Sequence, residues 1–102
     1  MKKSIKASKL PDFDLADHLK TKTDVANYLT LALADDNPGE LTHALGFIAR
    51  SRGMSEVARA AGLTREALYK ALRNNSRPRF DTVNRVIGAL GIKLVAQVSH
   101  RR

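Results

Sequence analysis

No cysteine occurs in the 102 residues, so no disulfide can staple the chain and no thiolate is available as nucleophile or metal ligand. No apolar run approaches the roughly 18 residues that a membrane span needs. The opening Lys2, Lys3 and Lys6 meet Pro11, Asp12 and Asp14 before an apolar signal core could form. These absences predict a soluble, cytoplasmic protein with no membrane partner. Histidine is scarce, and His18, His43 and His100 fall on three separate expected elements, with no glycine-rich phosphate loop and no metal-ligand spacing. The acidic residues gather at helix caps and loop ends, where helix chemistry accounts for them. The chain therefore reads as a non-enzyme that takes no metal, no cofactor and no small-molecule substrate.

What is abundant is positive charge, unevenly placed. The formal net charge is +8. Residues 1–46 hold six Lys against seven Asp plus Glu, a net of −1, whereas residues 47–102 hold twelve Lys plus Arg against Glu56, Glu66 and Asp81, a net of +9. Such asymmetry predicts a polyanion partner for the second half and a different task for the first. A basic surface can also serve solubility alone, but these cations cluster around one patterned stretch.

That stretch is residues 54–73, MSEVARAAGLTREALYKALR. Val57, Ala61, Leu63, Leu68 and Ala71 recur as the apolar positions of two short helices closing onto a core. Ala58 falls where the helices cross, and Gly62 at the turn, where the first helix must stop in a left-handed conformation. Ser55 and Thr64 read as the two N-caps, and both are also expected DNA contacts. A glycine between two amphipathic helices is common in soluble helical proteins. The full set at fixed offsets is not, and it predicts a helix-turn-helix. Thr64, Arg65, Glu66, Tyr69, Lys70 and Arg73 then face outward on the second helix, a mix of cations, hydroxyls and an amphipathic ring suited to base edges and phosphates in a major groove of double-stranded DNA.

The remainder frames this unit. Residues 1–12 are Lys-rich and aperiodic, a flexible basic arm. From Phe13, Asp14 is placed to cap a short helix with Leu15 and Leu19 on one side. Thr21 and Asp24 have capping-box spacing and open a helix whose core stripe is Val25, Tyr28, Leu29, Ala32 and Leu33. Asn37 as N-cap, Pro38 in the first position and Glu40 at N3 open another, with Leu41, Ala44, Leu45 and Ile48 buried, Phe47 at the edge, and Gly53 as its stop. Arg50 and Arg52 suit its negative end, and His43 reads as surface or packing. Residues 74–80, NNSRPRF, form a loop that Arg77, Pro78 and Arg79 make stiff and cationic, fit to clamp a DNA backbone. Asp81 is expected to cap a last helix with Val83, Val86, Ile87 and Leu90 inward and Gly91 as its stop.

Ile92, Leu94 and Ala96 then alternate with Lys93, Val95 and Gln97, which predicts a short strand at 92–98. A lone strand must pair, and a second copy of the chain is the economical mate, so these residues are the expected dimer contacts. The expected architecture is all-α, about five helices with a short C-terminal β-strand. Residues 13–102 make one domain: N-terminal helices at 13–37, the helix-turn-helix core at 38–91 and the strand at 92–98.

FDLADHL, DVANYLTLAL, LGFIARSRGMSEVARAAGLTREALYKAL and FDTVNRVIGALGIKL together make the chain, from about Phe13 to Ala96, resemble the probable addiction module antidote proteins, bacterial antitoxins with a lambda-repressor-like helix-turn-helix. The Lys-rich arm and the cationic SRPR segment depart from the family's habit, where relatives are often more neutral. The resemblance implies a partner toxin of the RelE/ParE type, neutralised by direct binding, and repression of the shared operon. The leading expectation is thus a homodimeric, sequence-specific DNA-binding antitoxin. Its nearest rival is a stand-alone repressor of prophage type with no toxin, and a third is a non-specific architectural binder. For the toxin, the near-neutral first half is the expected surface, with Phe13, Leu15 and Tyr28 as apolar anchors and Asp17 among the acids that would meet a basic partner.

Overall fold

Thr21 and Asp24 cap the first of the described helices reciprocally. In the computed structural model, which describes residues 19–99, the Thr21 hydroxyl accepts the Asp24 N–H at 3.0 Å and the Asp24 carboxylate accepts the Thr21 N–H at 3.1 Å. This capping box opens α1, Lys22–Ala34, whose buried stripe is Val25, Tyr28, Leu29 and Ala32. Leu33, expected in that stripe, is 48% exposed. At 100° per residue it stands about 80° beyond Val25 around the helix, past the edge of the face that meets α2. The basic arm and the short helix expected from Phe13, with Leu15 and Asp17, lie outside the described residues; Leu19 packs half-buried on the core.

The Asn37 side chain accepts the Gly39 N–H at 2.8 Å and its carbonyl accepts the Glu40 N–H at 3.0 Å, so Asn37 opens α2, Gly39–Arg52, with Pro38 already helical. Ala44, Leu45, Phe47, Ile48 and Ala49 are buried and Leu41 is half-buried. Gly53, at φ 107°, ends α2 and directly precedes α3, Met54–Ala61. Ser55 consequently does not cap α3. A capping residue needs non-helical backbone, and Ser55 stands inside the first turn, exposed, while Gly53 takes the cap position and supplies the carbonyl for Val57.

Gly62, at φ 74°, ends α3, with Leu63 N–H bonded to the Ala58 carbonyl at 2.8 Å and Gly62 N–H to Arg59 at 3.1 Å, a Schellman closure. Space is open around a Cβ built there, so Gly62→Ala isolates the backbone cost. It should lose about 1–2 kcal/mol, read as a lower urea midpoint at unchanged m-value. Thr64 then caps α4, Arg65–Leu72, its hydroxyl accepting the Ala67 N–H at 3.0 Å. Leu68 and Leu72 are the buried residues of α4, whereas Ala71, assigned inward from sequence, is half-buried beside them.

The last helix, α5, spans Phe80–Ala89 and starts one residue before the expected cap. The Arg79 carbonyl already accepts the Val83 N–H, so Asp81 lies within the first turn and makes no cap bond; its carboxylate favours the positive helix end instead. Phe80 is helical and 71% exposed. Val83, Val86, Ile87 and Leu90 are buried as expected, and Gly91 at φ 82° turns the chain. α1 packs on α2, α3 contacts α2, α4 and α5, and α4 also meets α2. The fully buried Val25, Leu45, Ile48, Leu68, Val86, Ile87 and Leu90 close one core.

No strand occurs among the described residues, which corrects the expectation for 92–98. A strand is defined by its ladder, and every element among the described residues is helical, so none of them offers a strand for 92–98 to pair with. Ile92 and Leu94 lean half-buried on the core; Val95 and Val98 are 74% and 80% exposed.

Candidate nucleic-acid interface

α4 packs against both α2 and α3 and buries Leu68 and Leu72, which fixes which of its side chains reach solvent. Thr64, Arg65, Glu66, Tyr69, Lys70 and Arg73 are all exposed, as the sequence predicts. Arg65 and Tyr69, one turn apart, are coupled: the guanidinium lies 5.1 Å from the ring centroid and donates to the phenol oxygen at 3.2 Å. Stacking and a hydrogen bond together restrict a side chain that otherwise loses considerable rotamer freedom on binding.

Beside α4 the chain turns back. Asn75 takes φ 65°, and the Ser76 hydroxyl donates to the Ala71 carbonyl at 2.6 Å, tying the loop to the end of the helix. The loop thereby forms one wall of an open groove of about 650 Å³ in which Arg77 and Arg79 join Lys70 and Arg73. Four cations from two separated stretches thus converge. Arg79 is shared with Asp81 at 3.4 Å, an exposed pair that contributes little to stability.

Ser55 lines neither this groove nor the smaller one described below. Of the anchors expected for a protein partner, Phe13, Leu15 and Asp17 lie outside the described residues. Tyr28 is corrected: at i+3 from Val25 it sits inside the core stripe and is 6% exposed, so it offers no surface. The exposed large apolar residues of α1 are Leu31 and Leu33, a pair that sequence reasoning missed because one was assigned inward and the other carried no periodic signal. Among the described residues no group of His, Asp and Glu is arranged to hold a metal ion, and no helix is long and apolar enough to cross a membrane.

The described residues thus form a small helical core with Arg65, Lys70, Arg73, Arg77 and Arg79 exposed on one helix and the loop that follows it. Residues 9–98 match the family described as probable addiction module antidote protein, and the chain belongs to that family. It is 46% identical over 90 residues to an uncharacterised protein of Haemophilus influenzae, covering 88% of this chain and 93% of that one. No solved structure matches the chain significantly. An antidote neutralises a toxin, so membership implies a toxin partner.

Proposed function

We propose that the protein is a sequence-specific DNA-binding antitoxin with a lambda-repressor-like helix-turn-helix, which neutralises a RelE/ParE-type toxin and, as a homodimer, represses its own operon. The observation that carries the DNA reading is the outward face of α4 continued by Arg77 and Arg79 across one groove. In this reading Thr64, Arg65, Glu66, Tyr69, Lys70 and Arg73 enter a major groove and the loop arginines hold the backbone beside it. Arg65→Ala and Lys70→Ala should each weaken operator binding by about 1–3 kcal/mol and relax its sequence preference. Arg77→Ala and Arg79→Ala should instead weaken all DNA alike and shallow the salt slope by about one unit each. Intact affinity and preference in both α4 variants would place the reading face elsewhere. Family membership favours this function over a stand-alone repressor of prophage type.

For the toxin, support comes from the near-neutral first half, where exposed Leu31 and Leu33 adjoin Asp35 and Asp36 at the end of α1. Apolar anchors supply affinity and the acids choose a basic partner. Because Val25, Tyr28 and Leu29 belong to the core, the test keeps the chain whole. Leu31→Lys with Leu33→Lys should abolish rescue of growth on co-expression with the neighbouring toxin while operator binding is retained. Undiminished rescue would move the toxin contact off α1.

A further inference from the structure

α4 borders a second groove, on its other side. Taken at 100° per residue, Leu68 and Leu72 point to the core, Glu66, Lys70 and Arg73 point outward, Ala67 and Ala71 lie on one flank and Tyr69 on the opposite one. The loop groove opens on the Ala67 and Ala71 flank. The second, of about 370 Å³, opens on the Tyr69 flank, with His43 and Arg50 of α2 facing Tyr69, Arg73 and Asn74. No acidic residue lines it, and the side chains of His43, Arg50 and Arg73 make no ion pair among the described residues. Two guanidinium groups and an imidazole therefore converge on one open cleft that no acidic side chain among the described residues lines.

The placement of Arg50 has a structural cause. A Cβ on Gly46 would come within 3.1 Å of Arg50 Nη1 and 3.4 Å of the Leu72 carbonyl oxygen. The arginine thus folds back one turn along α2, over the glycine, toward the end of α4. Gly46 both lets the two helices approach and leaves the guanidinium room beside the groove.

We propose that this second groove binds a phosphodiester of the DNA strand opposite to the one held by Arg77 and Arg79. The inference rests on the DNA reading of α4. A helix lying in a major groove about 12 Å wide has one sugar-phosphate backbone along each flank, and the two backbones belong to different strands. Cationic grooves on both flanks of α4 then hold the helix between the strands, with Arg73 between the two. Arg50 supplies planar, charge-assisted donors, and the His43 imidazole adds an N–H donor.

The test uses the whole protein, a duplex from upstream of its own reading frame, and the same duplex carrying single methylphosphonate linkages, which remove one phosphate charge at a time. Arg50 is exposed, so Arg50→Gln should leave the melting curve in place. It should weaken binding to operator and random DNA alike by about tenfold and shallow the log–log salt slope by about 0.9, while Arg50→Lys keeps the slope. Linkages that lose their effect in Arg50→Gln should lie on one strand, and those that lose it in Arg77→Gln on the other. Unchanged affinity and slope in Arg50→Gln, or both sets on one strand, would overturn the second site while the DNA reading stands. A wild-type protein that binds neither duplex would overturn both.

Discussion

Leu68→Ala is expected to remove about 2–5 kcal/mol of folding stability, a large share of what a domain of this size possesses. Leu68 has no exposed surface and lies on the face of α4 that meets the core, so truncation deletes buried methyl groups and leaves a void that close-packed neighbours fill only in part. The readout is the urea midpoint, with DNA affinity as a second one, because a loosened α4 no longer presents Arg65, Tyr69 and Lys70 together. Ala67, adjacent but exposed, is the control, and Ala67→Ser should stay within about 0.5 kcal/mol. Equal, small effects at both positions would mean that α4 is not anchored through Leu68.

The second large effect concerns assembly. Deleting residues 93–102 should yield a monomer whose operator affinity falls by about 10²–10⁴-fold, the loss expected when two half-site contacts cease to be linked. Were the segment to become extended on pairing, Ile92, Leu94, Ala96 and Val98 would share one face and Lys93, Val95 and Gln97 the other. Antiparallel pairing of two copies centred on Val95 sets Ile92 against Val98, Leu94 against Ala96 and Lys93 against Gln97, so the apolar faces coincide and no cations stand opposed. A one-residue slip would mix the faces. Two reading helices joined in this way need to stand about 34–36 Å apart, one turn of DNA. Because Leu94 also leans on the core, Ala96→Pro is the companion variant: it removes a backbone donor at an exposed residue and should likewise give a monomer by sedimentation. A truncated chain that remains dimeric would assign the interface to another surface.

Much of this fold was legible in the sequence because its devices are local. Thr21 with Asp24, Thr64, and the glycines at 53, 62 and 91 each act within a turn of backbone, and each stands where the sequence places it. Ser55 and Asp81 misled because a hydroxyl or carboxylate caps only if its own backbone is extended, and in both cases the helix began earlier. Leu33 misled because a two-turn repeat drifts off the buried stripe. Tyr28 was read as an anchor although its spacing from Val25 already placed it in the core. The segment at 92–98 is a different failure: the alternation is real, but a ladder depends on a partner strand, and the described residues supply none. The groove between α2 and α4 was not legible, because His43 and Arg50 meet Tyr69 and Arg73 through tertiary packing alone. Its one local trace is Gly46, four residues before Arg50 within the buried run of α2.

Titration of the full-length protein against the duplex upstream of its own reading frame and against a scrambled duplex of equal length, at two salt concentrations, separates sequence-specific binding from general attraction to a polyanion. The upstream duplex is expected to bind at least about 10³-fold tighter than the scrambled one, with both affinities falling steeply as salt rises. Equal affinity for the two duplexes, or no binding to either, would contradict sequence-specific binding.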